Sequence, residues 1–179
     1  ASPKPSRLRA FPSPLYAICD AEVCERAGWS LADFAFACLD GGARLLQIRA
    51  KHAPSGWLLG CTARIVERAS AMGGADIIVN DRIDIACLSG ATGVHVGQDD
   101  LSPREVRSIA GDDLVVGLST HTSEQVERAM REPVSHIAIG PVFGTTTKDT
   151  GYASVGLGRV REASDIAGRH GLPVVAIGG

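Results

Sequence analysis

The sequence predicts an α/β fold in which parallel strands, buried on both faces, alternate with helices. Seven short runs rich in Val, Ile and Leu recur along the chain, as expected of strands that are covered on both sides. Helical patterns with recognisable caps lie between these runs. Gly accounts for 21 of the 179 residues and aromatic residues for only 4%. That mixture suits many strand-to-helix turns better than an aromatic-rich sandwich.

The predicted strands are the near-continuous apolar runs. They cover residues 15–20, 45–51, 76–81, 93–98, 114–120, 136–143 and 173–179. The repeated strand–helix order indicates right-handed βαβ units and a parallel sheet, either open and doubly wound or closed as a (β/α)8 barrel.

The predicted helices are marked by their ends. Three begin at a hydroxyl residue that is followed three positions later by an acid or an amide; these pairs are Ser30 with Asp33, Ser102 with Glu105, and Thr122 with Gln125. Pro103 suits the first helical position after Ser102. The other helical patterns cover 57–72, 83–88 and 160–170.

Composition excludes several classes of protein. The 18 Lys and Arg against 20 Asp and Glu give a formal charge of −2, with 45% hydrophobic residues. This balance does not fit a disordered tail or a general nucleic-acid binder. The length suits one barrel domain over 15–179, preceded by a flexible proline-rich arm over 1–14. No apolar run approaches the roughly 18 residues of a membrane span, so a cytoplasmic protein is expected.

The five cysteines are scattered and odd in number, and they form no C-x-x-C pair. Most lie in apolar segments, so we expect reduced, buried thiols and a reducing compartment.

Polar side chains at nearly every predicted strand end favour the barrel over the open sheet. They are Asp20, Arg49, Lys51, Asn80, Asp81, Gln98, Asp99, Asp100, Ser119, Thr120, His121 and those of the segment 145–148, whereas the seventh strand ends in Gly178 and Gly179. In a barrel these ends meet at one mouth, where such enzymes place their chemistry, whereas an open sheet concentrates function at a switch point.

The second strand has two interpretations. Its alternation places Gln47, Arg49 and Lys51 on one face, toward the barrel interior if the apolar face packs on the helices. Two cations there are costly unless an anion lies between them. In the other interpretation, Arg49 and Lys51 simply pair with Asp20 or Asp81.

The acidic strand ends also have two interpretations. Asp81 and Asp100 follow neighbouring strands, and such carboxylates suit Mg²⁺, which completes its shell with water and phosphate oxygens. Alternatively, Asp99 and Asp100 only lead into the helix after Ser102 and complement its dipole.

Two further segments suit phosphate binding. Residues 140–148 combine glycines, three threonines and Lys148, a composition that can wrap an anion, although no Walker motif is present. Gly178 and Gly179 allow close backbone approach to a phosphate after the seventh strand.

His95 is expected in the core, whereas His121 lies at the proposed mouth, where binding and structural roles are equally plausible.

Six motifs in this order resemble those of thiamine phosphate synthase. They are Gln-Ile-Arg-Ala-Lys (47–51), Asn-Asp-Arg-Ile-Asp-Ile-Ala (80–86), Gly-Val-His-Val-Gly-Gln-Asp-Asp-Leu (93–101), Gly-Leu-Ser-Thr-His (117–121), Gly-Pro-Val-Phe-Gly-Thr-Thr-Thr-Lys (140–148) and Pro-Val-Val-Ala-Ile-Gly-Gly (173–179). The resemblance runs from residue 15 to the end.

The resemblance implies a (β/α)8 TIM barrel and an Mg²⁺-dependent transferase of thiamine biosynthesis. That family couples 4-amino-2-methyl-5-(hydroxymethyl)pyrimidine pyrophosphate to a thiazole phosphate, giving thiamine phosphate and pyrophosphate. The implied residues fall into four groups: Gln47, Arg49, Lys51, Asn80 and Lys148 for the pyrimidine pyrophosphate; Asp81 and Asp100 for Mg²⁺; Ser119 for the leaving group; and Thr145, Thr147, Gly178 and Gly179 for the thiazole phosphate. Arg49, Lys51, Ser119 and Lys148 are the candidate catalytic residues.

Two other functions remain open at this point. One is a thiazole tautomerase of the same fold, and the other is a non-catalytic barrel that binds a phosphate ligand. The sequence stops after the seventh predicted strand, so we expect the eighth βα unit to be absent from it and the phosphate pocket to be incomplete. Oligomeric state is left open, and a homo-oligomer is compatible with the sequence.

Overall fold

Strands and helices alternate along the chain in the computed structural model. The structure describes residues 13–144 and 153–178, and within these ranges it has seven strands and seven helices. The strands are β1 (Ala17–Asp20), β2 (Leu45–Arg49), β3 (Asp76–Asn80), β4 (Gly93–Val96), β5 (Val115–Thr120), β6 (His136–Ile139) and β7 (Val174–Ala176). The helices are α1 (Ala21–Arg26), α2 (Leu31–Asp40), α3 (Ser55–Ala71), α4 (Ile83–Ser89), α5 (Pro103–Ala110), α6 (Ser123–Ala129) and α7 (Gly156–Arg169).

The described residues form two compact units, one of 13–95 and the other of 96–144 together with 153–178. In the first unit, β1 to β4 pair in chain order, and each pair is parallel. In the second unit, β5, β6 and β7 also pair in chain order and in parallel. Parallel neighbours that are joined through helices confirm the predicted α/β class.

Each unit has an apolar core between its strands and its helices. In the first unit, Leu46, Ile48 and Val79 of the strands and Ile65 of α3 have no exposed surface. In the second unit, β5 and β6 contribute equally buried Val and Ile side chains, and α7 contributes Ala163 and Ala167. Strands β2 to β6, which are largely buried, hold their polar carboxyl ends in fixed positions.

The predicted N-caps are confirmed. The Ser30 hydroxyl accepts a hydrogen bond from the backbone of Asp33 (3.1 Å), and Thr122 accepts one from Gln125 (3.2 Å). Ser102 forms a complete capping box, with Pro103 in the first turn of α5. These contacts lie within four residues of sequence, which explains why they could be predicted.

The predicted elements differ from the structure at several ends, as where α7 begins at Gly156 and β7 ends at Ala176, and two differences have a clear cause. Helix α1 was missed, because Asp20 was assigned only to the end of a strand, whereas its side chain also caps this helix. Strand β6 ends at Ile139, four residues before the predicted end. Pro141 has no N–H group to donate, so a regular ladder cannot run through it.

The five cysteines are free thiols. Cys19, Cys24 and Cys61 are buried as expected, Cys38 is half-buried, and Cys87 is exposed. Among the described residues, no helix has the length and apolar character needed to cross a membrane. Of the predicted N-terminal arm, 1–12 lie outside the described residues.

Candidate functional site

Arg49 and Asp20 form an ion pair at the carboxyl ends of β1 and β2. The two residues are register partners in the parallel ladder, so their side chains leave the sheet at the same level. The Arg49 Nη1 atom contacts Asp20 Oδ2. Both side chains are largely buried, with 14% and 7% of their surfaces exposed. Burial strengthens the attraction, and it also makes either charge costly without the other.

The second oxygen of Asp20 fixes the start of α1. Asp20 Oδ1 accepts hydrogen bonds from the backbone N–H groups of Glu22 (3.0 Å) and Val23 (3.1 Å). The carboxylate therefore satisfies two amides at the positive end of the helix while it holds the guanidinium. Arg49 is thus attached to a carboxylate that cannot move freely.

Lys51 and Asp81 form a second pair, one step further along the sheet. Lys51 Nζ lies 3.5 Å from Asp81 Oδ2, with the lysine 40% and the aspartate 23% exposed. Asp81 adopts a left-handed backbone conformation (φ 61°), and its N–H donates to the His95 carbonyl at 2.8 Å. A non-glycine residue in this region is uncommon and is found mostly where structure or function demands it.

Gln47 lies in β2, the strand that ends in Arg49, and Asn80 ends β3, directly before Asp81. Gln47 is buried, and its Nε2 donates to the Tyr16 hydroxyl at 3.0 Å. Burial raises the pKa of the Tyr16 phenol, and the Gln47 hydrogen bond partly opposes that shift. Asn80 is half-buried at the end of β3, where it is the register partner of His95.

Five of the predicted site residues are therefore placed on β2, β3 and the residues that follow them: Gln47, Arg49, Lys51, Asn80 and Asp81. The pairings that the simpler interpretation expected, Arg49 with Asp20 and Lys51 with Asp81, are both present. These four ionised side chains sum to zero formal charge. An anion bound beside them would therefore need further positive charge to be favourable.

Asp100 closes a turn in the second unit. Its Oδ2 atom accepts a hydrogen bond from the Gly97 N–H at 2.7 Å, and the side chain lies in an exposed segment. Ser102 and Glu105 already cap α5, so the alternative role for Asp99 and Asp100 at this helix is not needed to explain its start. Oδ1 of Asp100 can still accept another ligand.

Ser119 is held through its backbone. Its carbonyl accepts a hydrogen bond from Gln98 Nε2 at 2.7 Å, which joins the end of β5 to the residues that follow β4. Sequence reasoning placed Gln98 at a strand end, but it did not identify this contact.

The chain after β6 runs against the chain after β7. The Val142 N–H donates to the Ile177 carbonyl (2.8 Å), and the Phe143 N–H donates to the Gly178 carbonyl (3.1 Å). Gly140 is required here, because a Cβ atom at this position would lie 2.7 Å from Ile177 Cγ2 and would also overlap the Ile177 carbonyl. The start of the predicted phosphate segment is thus fixed beside Gly178. Thr145, Thr147, Lys148 and Gly179 lie outside the described residues.

The two histidines have separate surroundings. His95 is buried, as expected for a core residue. His121 Nδ1 lies 2.6 Å from the Gly140 carbonyl oxygen, and the His121 backbone N–H donates to Gln125 Oε1 at 2.7 Å. Because a carbonyl can only accept, Nδ1 carries the proton. His121 therefore links the ends of β5 and β6, a structural role that the binding interpretation left out.

The donor chemistry of the acidic residues fits magnesium. Among the described residues there is no group of three or more His, Cys, Asp or Glu side chains that could hold a metal ion. Mg²⁺ does not need such a group, since it is commonly bound through one or two carboxylates, with water and substrate phosphates completing its shell. Asp81 and Asp100 supply carboxylate oxygens of this kind.

Comparison with known proteins identifies relatives along most of the chain. The model of a family described as "Thiamine monophosphate synthase" matches residues 15–179. The chain is 44% identical, over 80% of its length, to the thiamine-phosphate synthase of Anaeromyxobacter dehalogenans, and it covers 62% of that protein. It is 41% identical, over 92% of its length, to that of Koribacter versatilis, and it covers 77% of that protein. The chain thus spans somewhat less than two thirds of the first of these relatives.

A solved structure is similar as well. The thiamine phosphate pyrophosphorylase of Pyrococcus furiosus matches 92% of this chain with a TM-score of 0.77 and 28% identity, and the chain covers 74% of that structure. This match confirms the predicted TIM-barrel-like α/β class.

Substituting Gly140 by Ala tests the close packing of the segment after β6. We expect Gly140→Ala to lower the free energy of unfolding by about 1–3 kcal/mol, because the added methyl group overlaps Ile177. Gly144→Ala is the matched control, since a Cβ atom there meets nothing within 4 Å. Urea denaturation of both variants measures the difference, and equal stabilities would contradict the packing described.

Proposed function

The chain belongs to the thiamine monophosphate synthase family, and from this membership we propose that it joins 4-amino-2-methyl-5-(hydroxymethyl)pyrimidine pyrophosphate to a thiazole phosphate. The bond between the pyrimidine methylene carbon and the pyrophosphate oxygen breaks, and a bond from that carbon to the thiazole nitrogen forms. The products are thiamine phosphate and pyrophosphate. The relatives named thiamine-phosphate synthase, about 40% identical over most of the chain, support this assignment.

The observation that carries the proposal is the arrangement of two cations at the carboxyl end of β2. Arg49 is oriented by Asp20, and Lys51 lies near Asp81. In parallel α/β folds ligands bind at the carboxyl ends of the strands. Oriented cations at that edge suit a diphosphate, which carries several charges over a short length. Lys51 is the more exposed of the two and is the better placed to meet an incoming ligand.

The remaining residues receive roles by their chemistry. Gln47 in β2 and Asn80 in β3 would form hydrogen bonds with the pyrimidine. Ser119 would contact the leaving pyrophosphate, and Lys148 would add positive charge to it. Thr145, Thr147 and the backbone of Gly178 and Gly179 would hold the thiazole phosphate.

Asp81 and Asp100 would hold Mg²⁺, which, when bound, neutralises charge that develops on the leaving pyrophosphate. The zero net charge of the four side chains on and beside β2 makes such added positive charge necessary. Asp81 would have to share its carboxylate between Lys51 and the metal, and its two oxygens allow this.

The chemistry needs positioning and charge more than a general base. The 4-amino group of the pyrimidine can stabilise a methylene cation, so the leaving group can depart before the thiazole nitrogen attacks. Arg49, Lys51 and Lys148 would then stabilise the departing pyrophosphate electrostatically. Holding the two rings in contact supplies the remaining rate enhancement. We assign this reaction to the cytoplasm, in agreement with five free thiols.

Lys51→Met tests the proposed pyrophosphate contact. We expect kcat/KM for pyrophosphate release to fall by about 10²-fold or more, because the variant lacks a charge that stabilises the leaving group. Arg68→Met is the matched control: it also breaks a Lys/Arg–Asp pair in the first unit, the 2.8 Å contact with Asp40, but on the exposed side of α3. A coupled pyrophosphate assay measures both variants. Equal losses in the two would remove Lys51 from the site.

Asp100→Ala tests the metal assignment. We expect this variant, like the wild-type protein in excess chelator, to lose Mg²⁺-dependent pyrophosphate release. Asp99→Ala removes the neighbouring carboxylate and is expected to keep most of the activity. Full turnover of the wild-type protein in chelator would show that no metal is needed.

The same assay separates the alternatives. Pyrophosphate that appears only when both substrates are present supports the synthase reaction. A thiazole tautomerase would change the thiazole phosphate without any pyrimidine substrate, and a non-catalytic barrel would bind ligand without turnover.

A further inference from the structure

His121 lies at the end of β5 and contacts the chain that follows β6. Its ring nitrogen Nδ1 is 2.6 Å from the carbonyl oxygen of Gly140, the first residue after β6. A second contact runs between the same two strand ends, since the Gly140 N–H donates to the Thr120 carbonyl at 3.3 Å. The N–H and the carbonyl of Gly140 are therefore both attached to the end of β5.

The position of the His121 ring is itself fixed from α6. The His121 backbone N–H donates to Gln125 Oε1 at 2.7 Å, and Gln125 is a buried residue of that helix. The Gln125 backbone donates in turn to the Thr122 hydroxyl, which caps α6. Because hydrogen bonds from a helix hold its backbone, His121 presents Nδ1 to Gly140 from a fixed place.

The segment after Gly140 carries this constraint to Gly178, two residues beyond β7. The Phe143 N–H donates to the Gly178 carbonyl at 3.1 Å. The approach is close, since a Cβ atom on Gly178 would lie 2.8 Å from Pro141 Cβ. Such closely packed chain segments do not shift independently, so a displacement at Gly140 would also displace the backbone at Gly178.

We propose that His121 is a positioning residue for the thiazole phosphate. By donating from Nδ1 to the Gly140 carbonyl, it holds the backbone at Gly178 in the place where the phosphate binds. This inference rests on the proposed function, which assigns the Gly178 backbone to that phosphate. In this role His121 touches no substrate and transfers no proton; it aligns binding groups before the ligand arrives, which lowers the cost of binding.

The tautomer separates this role from acid–base catalysis. A carbonyl oxygen can only accept, so Nδ1 keeps its proton in both the neutral and the protonated ring. The contact with Gly140 therefore persists over the pH range in which histidine titrates. Asparagine places an N–H donor at the same number of bonds from the backbone as Nδ1, and it does not titrate. His121→Asn should thus preserve positioning, whereas it would abolish any acid or base function.

The test compares His121→Asn with His121→Leu, which has a similar branched shape but no donor. The Kd for thiazole phosphate is measured by isothermal titration calorimetry, and the KM of each substrate by the coupled pyrophosphate assay. We expect His121→Leu to raise the Kd and KM for thiazole phosphate about 5- to 10-fold, because the Gly140 carbonyl loses its donor. The KM for the pyrimidine substrate should stay near the wild-type value, and His121→Asn should bind thiazole phosphate nearly as well as the wild type.

His170→Leu is the matched control, because it removes an exposed histidine at the end of α7 in the same unit. It should bind thiazole phosphate as the wild type does. Unchanged affinity in His121→Leu, equal losses in His121→Asn and His121→Leu, or a joint rise of both KM values would overturn the proposal.

A measurement on the wild-type protein covers the case in which His121→Leu folds poorly. Nitrogen NMR of the full chain with isotope-labelled histidine shows which ring nitrogen carries the proton, and the His121 signal is assigned by its absence from His121→Asn. We expect the proton on Nδ1, and a ring protonated on Nε2 alone would contradict the proposal.

The calorimetry also separates this inference from the proposed function. A wild type that binds thiazole phosphate in a way that depends on His121, but releases no pyrophosphate with both substrates, would refute the synthase reaction and support the positioning role. A wild type that releases pyrophosphate while His121→Leu keeps full affinity would support the reaction and refute the positioning role. A wild type without affinity for thiazole phosphate would overturn both.

Discussion

The carboxylate of Asp20 is the contact on which the candidate site depends most. One oxygen caps α1, and the other holds Arg49, so the start of a helix and the orientation of a cation are set by the same group. The pair is largely buried, and a buried charge without its partner costs several kcal/mol. A change in the position of the Asp20 carboxylate would therefore affect both the start of α1 and the orientation of Arg49.

The charges beyond Asp20 follow from the way parallel strands end. The interiors of β2 to β6 are largely buried and mainly apolar, and the charged residues of this group lie at or just after the carboxyl ends, where the backbone leaves the sheet. There, Asp20 and Asp81 of the neighbouring strands hold Arg49 and Lys51. Such preorganisation reduces the reorganisation needed when an anion binds. It also leaves no excess positive charge in this group, and for that reason the proposed chemistry depends on Mg²⁺ and on Lys148.

Sequence patterns predicted the features that depend on hydrophobic periodicity, such as the strands, or on residues close in sequence, such as the helix caps. The buried strands were visible as apolar runs, and the caps at Ser30, Ser102 and Thr122 are contacts within a few residues. Helix α1 was missed because one residue, Asp20, has two roles and only its place at a strand end was recognised.

The contacts of Gln47 with Tyr16 and of Gln98 with Ser119 join residues 31 and 21 positions apart, and no local pattern encodes them. For Arg49 and Lys51, the predicted alternation put both side chains on one face, although β2 ends at Arg49, and it could not choose between a ligand and a carboxylate partner. The structure shows the carboxylate partners, and a bound ligand remains the proposal.

A double-mutant cycle on Asp20 and Arg49 tests the central claim most directly. Asp20→Asn keeps an oxygen that can cap α1 while it removes the charge, and Arg49→Met keeps much of the side-chain volume. The free energy of unfolding is measured by urea denaturation for the wild type, both single variants and the double variant. The account predicts a coupling energy of about 1–3 kcal/mol, because each single change leaves a buried charge unpaired. Changes that add to within about 0.5 kcal/mol would show that Asp20 does not hold Arg49, and the account of the site would then fail.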